Sequence, residues 1–169
     1  MKKERLNMTS EEIIEAYADM VYRLALLRVK NRTDADDVFQ EVFIRLVNNI
    51  QKLQNPEHVK AWLIRVTINC SKKHFARLER EDAFSMEELE DTGAEEEGYA
   101  RAEGQGVVLT AVGKLPLKYR SVVHLFYFEE LSIKQICNIL KMSETAVKSR
   151  LHRARELLKE KLKGAQYEF

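Results

Sequence analysis

Apolar residues recur along the first part of this chain at helical spacing. Ile13, Tyr17, Met20, Val21, Leu24 and Leu27 repeat every three or four positions, the signature of a helix with one buried face. Thr9 and Glu12 form a capping-box pair that opens it. Residues 31–33 break the pattern. Thr33 is then the predicted cap of TDADDVFQEVFIRLVNNI, with Val38, Val42 and Leu46 on one face and acids in the first turn, where the helix dipole favours them. Asp36, Asp37, Gln40 and Glu41 project elsewhere, with Phe39 and Phe43 beside them. A polar loop, QKLQNPEH, precedes a long helical stretch, VKAWLIRVTINCSKKHFARLER. Its Trp62, Val66, Asn69 or Cys70, and Lys73 track different faces, and Lys72, Lys73, His74, Arg77 and Arg80 make its second half basic.

The helical pattern resumes at Val107. VVLTAVGKL predicts one helix, and Pro116, at a tolerated first-turn position, starts another through LKYRSVVHLFYFEEL. Ser132 and Gln135 form a second capping-box pair, and Ile136 and Leu140 share a face of the helix it opens. Lys141, Met142 and Ser143 form a break, with Ser143 the N-cap of a last helix. There Val147, Leu151, Ala154 and Leu158 make a buried stripe, while Thr145, Ser149, His152, Arg153 and Glu156 fall opposite it. Lys148 and Arg155 flank that outer face, and Arg150 lies on the other shoulder. Two helices, a three-residue turn and a polar outer face are the outline of a helix-turn-helix.

Charge sharpens this outline. The net charge is only +1, but it is segregated: residues 79–103 hold eleven acidic and two basic side chains, between two basic flanks. That acidic block has few large apolar residues, so it reads as a linker that cannot bury enough surface to offset its ordering entropy. Phe84, Met86, Leu89 and Tyr99 are its candidate anchors. From Lys141 to Lys163 there are eight Lys/Arg against three Glu, an excess suited to a polyanion. Lys148, Ser149, His152 and Arg153 are placed to reach base edges while other cations hold phosphates. The expected architecture is all-α: a domain over residues 1–78, an acidic flexible linker over 79–106, and a four-helix, winged-helix-like helix-turn-helix domain over 107–169. No alternating strand pattern is present, and six Gly and two Pro suit long helices.

Catalytic chemistry is not indicated. The sequence has no phosphate-binding glycine loop, no HExxH and no paired cysteine cluster, and its four His are scattered. No enzyme activity and no cofactor are therefore expected. Cys70 and Cys137 are expected to be small, reduced core residues; Cys70 and His74 are too few to make a metal site. No apolar run approaches a membrane span, and the N-terminus lacks the apolar stretch of a signal peptide, so a soluble cytoplasmic protein is expected.

In this order the segments resemble those of a bacterial RNA polymerase sigma factor, in the extracytoplasmic-function (ECF, group IV) branch of the sigma-70 family. DADDVFQEVFIRL looks like the family's polymerase-binding helix, and WLIRVTINCSKKHFAR like its −10 promoter helix. LPLKYRSVVHLFYFEELSIKQICNILKMSETAVKSRLHRARELL is similar to its −35-binding domain almost end to end. The resemblance implies that Asp36, Asp37, Gln40, Glu41 and Arg45 meet the β and β′ subunits of core polymerase. It implies that Arg65, Asn69, Lys72, Lys73 and Arg77 face melted −10 DNA, with residues 53–58 forming the pocket for a flipped base. Ser143, Thr145, Lys148, Ser149, His152 and Arg153 would read the −35 groove. It further implies an anti-sigma partner, and a linker whose charge of about −9 imitates RNA in a polymerase channel. The sequence departs from the family where Lys141-Met142 and Thr145-Ala146 replace common glycine-containing pairs, and in the loop QKLQNPEH. Two other readings are open. A dimeric regulator would leave Asp36–Glu41 without work; a helical adaptor would leave the basic face of the last helix unexplained.

Overall fold

The computed structural model describes residues 6–81 and 105–163, with the side chains of 75–81 and 105–107 outside that description. The acidic block and its candidate anchors therefore lie outside the described residues. The chain divides into two compact units, residues 1–78 and 79–169. All regular structure among the described residues is helical.

The first unit contains α1 (Ser10–Val29), α2 (Arg32–Asn49), a 3-10 turn (Ile50–Lys52) and α3 (Pro56–Glu81). Thr9 caps α1 by accepting the Glu12 N–H at 3.2 Å. Ile13, Met20, Val21, Leu24 and Leu27 are buried as the periodicity predicts; Tyr17 is half-buried. The N-cap of α2 is Asn31, not the expected Thr33. Asn31 Oδ1 accepts the Asp34 N–H at 2.7 Å and Asn31 Nδ2 donates to Asp34 Oδ2 at 2.7 Å. This reciprocal pairing anchors both side chains, which an exposed Thr33 does not match. Val38, Val42 and Leu46 are fully buried, and Phe39 packs edge-on against Tyr22 and Phe43. The third helix begins at Pro56, three residues before the expected Val59, because Asn55 Oδ1 accepts the His58 N–H at 2.8 Å and proline suits the first helical position. Val59, Leu63, Ile64, Ile68 and Cys70 form its buried side. Arg28 is buried at the end of α1, where its Nε donates to Ser71 Oγ on α3.

The second unit contains α4 (Gln105–Gly113), α5 (Leu117–Val123), a π-turn (His124–Phe128), α6 (Ile133–Leu140) and α7 (Glu144–Lys161). Pro116 is the cap of α5 rather than its first residue. The sequence predicted one unbroken helix through Leu131. Instead the helix widens at His124, a π arrangement that α-helical periodicity does not announce. His124 is fully buried there, with Nε2 3.2 Å from Glu129 Oε1 and its ring stacked on Phe128. Ser132 and Gln135 complete the predicted capping box. On α6 the buried pair is Ile136 and Ile139, while Leu140 is half-buried. Lys141 closes α6 in the left-handed region (φ 54°, ψ 52°), the conformation for which glycine is commonest. Ser143 caps α7 by accepting the Ala146 N–H at 3.1 Å. Val147, Leu151, Ala154 and Leu158 are buried, and α7 packs on α5 and α6.

Candidate functional site

Three charged surfaces follow from these elements. On α2, Asp36, Asp37 and Gln40 are exposed, and Glu41 and Arg45 are half-buried beside them. Ile44 (62% exposed) and Val47 (53%) continue the line from Asp36 and Gln40 at helical spacing, so an acidic strip runs into an apolar one. Reading the sequence missed these two residues. Their signal was available: apolar side chains off the stripe of Val38, Val42 and Leu46.

On α3, Arg65, Asn69, Lys72 and Lys73 lie on one exposed face; the side chain of Arg77 is outside the described residues. Two residues assigned by resemblance to separate surfaces meet each other. Glu41 Oε1 accepts from Arg45 Nη2 at 2.7 Å and from Lys73 Nζ, across on α3, at 3.2 Å. Partial burial pushes the Glu41 carboxyl up, but the Lys73 ammonium and then the Arg45 guanidinium outweigh this and hold it below the usual carboxylate range. Burial, and then the Glu41 carboxylate, push the Cys70 thiol up, so Cys70 is a protonated core residue. Cys137, expected in a core, is half-buried. His74 turns toward α2, its Nδ1 3.3 Å from Asp34 Oδ1. Asp34, Asp37 and His74 bring one ligand atom each within 4.8 Å, but Asp34 is engaged by the cap of α2. In the loop before α3, Leu53 is buried, residues 54–58 are exposed, and His58 Nδ1 accepts the Gln54 N–H at 3.2 Å.

On α7, Ser143, Thr145, Lys148, Ser149, His152 and Arg153 are all exposed, on the side away from the buried stripe. Glu144 Oε1 sits 2.9 Å from Lys148 Nζ. Their hydrogen bond lowers the Glu144 carboxyl and raises the Lys148 ammonium. Glu156 lies 3.3 Å from His152 Nε2 and 3.1 Å from Arg153 Nη1. Exposed pairs of this kind are weak and yield to a stronger anion.

A capped helix-turn-helix whose second helix turns a polar, cationic face to solvent defines a DNA-binding protein. Residues 13–81 match sigma-70 region 2 and residues 105–158 match sigma-70 region 4. The ECF RNA polymerase sigma factor SigW of Bacillus subtilis is 31% identical over 164 residues, spanning 90% of this chain and 88% of that one. SigM of the same organism is 31% identical, spanning 90% and 94%. RpoE of Bartonella quintana, solved in complex with the anti-sigma factor NepR, shares the fold with a TM-score of 0.72 at 20% identity, over 92% of this chain and 98% of that one. The chain belongs to the ECF branch of the sigma-70 family, the non-enzymatic factors of transcription initiation. It serves promoter-specific initiation by RNA polymerase, with the −35 and −10 recognition general to that family. Among the described residues no helix is long and apolar enough to cross a membrane.

Proposed function

We propose that this sigma factor divides its work among the three surfaces as follows. Asp36, Asp37, Gln40, Glu41 and Arg45, extended by Ile44 and Val47, dock on the β and β′ subunits of core polymerase. Arg65, Asn69, Lys72, Lys73 and Arg77 hold the melted −10 strand, and the loop over residues 53–58 receives a flipped base. Unstacking that base costs a few kcal/mol, which pocket and phosphate contacts must recover. Thr145, Lys148, Ser149, His152 and Arg153 read the −35 groove, and Ser143 supports them as the cap of α7. Residues 1–78 and 107–169 are the two working domains, and the acidic stretch over 79–106 joins them. The chain acts in the cytoplasm, without catalytic chemistry of its own.

The observation that carries this reading is the exposed strip of Asp36, Gln40, Ile44 and Val47, in the same unit as the cationic face of α3. An acidic and apolar strip fits a protein partner, and a cationic face fits a nucleic acid. A dimeric regulator has no use for the first. An anti-sigma factor is the expected regulatory partner: RpoE was solved with NepR, and CnrH with the cytosolic domain of CnrY. The test adds purified chain to core bacterial polymerase and scores promoter-dependent transcription. Initiation from a single asymmetric promoter is expected. A chain that binds duplex DNA but never associates with core polymerase would overturn the assignment of α2.

A further inference from the structure

Phe126 and Tyr127 lie on the π-turn and stay half-buried rather than sinking into the core. Arg155 of α7 lies against them. Its Nε donates to Tyr127 Oη, and its guanidinium carbon is 5.8 Å from the Phe126 ring centroid and 5.7 Å from that of Tyr127. The two rings meet edge to face, with centroids 5.0 Å apart. Tyr127 occupies one donor of the guanidinium, leaving the four N–H groups of its two terminal nitrogens. Aromatic faces attract the cation without neutralising it.

Three side chains on the outer face of this helix differ. Lys148, His152 and Arg153 each lean on a glutamate of the same helix. Arg155 has no carboxylate partner among the described residues. It also lies seven residues after Lys148, so the two share one flank of α7, about 10 Å apart along the axis. That flank borders the face carrying Thr145, Ser149 and His152. A planar, charged fork with its side chain already ordered is the form that binds a phosphate at least entropic cost.

We propose that Arg155 is a DNA-backbone ligand ordered in advance by the aromatic pair of the π-turn, and that Tyr127 is its positioning residue. The proposal rests on α7 being the −35 helix. The alternative is a staple that merely fixes the π-turn to α7. The two differ in salt dependence, because only a phosphate contact releases counterions.

The experiment uses the full chain and a labelled duplex taken from the −35 half of a promoter that its holoenzyme opens. Binding is followed by fluorescence anisotropy from about 50 to 200 mM salt. Arg155→Gln is expected to weaken binding roughly five- to tenfold near 0.1 M salt and to flatten the slope of log K against log salt by about 0.9. Arg155→Lys keeps the charge but not the fork, so the slope persists while affinity falls. Tyr127→Phe is expected to lose roughly two- to threefold, and nothing further in the Arg155→Gln background. Wild-type affinity and slope in Arg155→Gln, whether or not its Tm falls, would overturn the proposal. A Tyr127→Phe loss that persists without Arg155 would remove the positioning role. Arg153→Ala separates the underlying reading. If it weakens binding while Arg155→Gln does not, only the backbone contact fails. If neither variant changes binding, the assignment of α7 fails with it.

Discussion

Single residues carry two of the testable consequences. Glu41 has its pKa held below the usual range by Lys73 and Arg45, so the folded state favours its ionised form. The resulting stability is present above the unfolded carboxylate value and is lost as pH falls through the lower folded value. Glu41→Gln is therefore expected to destabilise the protein by about 0.5–1 kcal/mol at pH 7, a modest figure because the group is half-exposed. Denaturant titrations should show the gap narrowing below about pH 4.5; a gap constant across that range would contradict the ion-pair account. Lys141 holds a left-handed conformation that costs a non-glycine residue about 1 kcal/mol. Lys141→Gly is expected to raise stability by up to that amount, read as an increased Tm. The sequence marked residues 141–143 as a break without showing which one turns left-handed. It pointed to Thr33 as the cap of α2, whereas the reciprocal bonds between Asn31 and Asp34 put the cap at Asn31. The Glu41–Lys73 pair spans 32 positions, so no local spacing signals it.

At the scale of elements, periodicity was a good guide wherever an α-helix stayed regular. The stripe of Val147, Leu151, Ala154 and Leu158 is buried, and both serine caps of the helix-turn-helix formed. Periodicity misled at His124, where one widened turn interrupts the α-helix and Phe126 and Tyr127 are half-buried. The exposed strip on α2 yields the next prediction. Ile44→Glu and Val47→Glu remove no buried contact, so the fold should keep its stability within about 0.5 kcal/mol. Association with core polymerase should weaken tenfold or more, since a desolvated apolar contact would become a buried, unpaired charge. Competition binding against the unmodified protein measures the loss. Unchanged competition would restrict the docking surface to the acids of the first turns.

For the whole molecule, the order of the segments along the sequence already carried the family resemblance, because each segment has its own local pattern. On the proposed function, the acidic stretch acts through its charge. Replacing several Glu between residues 87 and 97 by Gln should weaken holoenzyme assembly or change the yield of abortive transcripts. Normal values of both would leave the stretch a plain tether. The glutamates of α7 act on a larger field. A helix that carries its own anions sheds fewer dissolved ions when it meets a chromosome, so random sequence attracts it less than its lysines and arginines alone would suggest. Fewer copies are then stranded on the genome's vast excess of irrelevant sites, and more remain free to find polymerase.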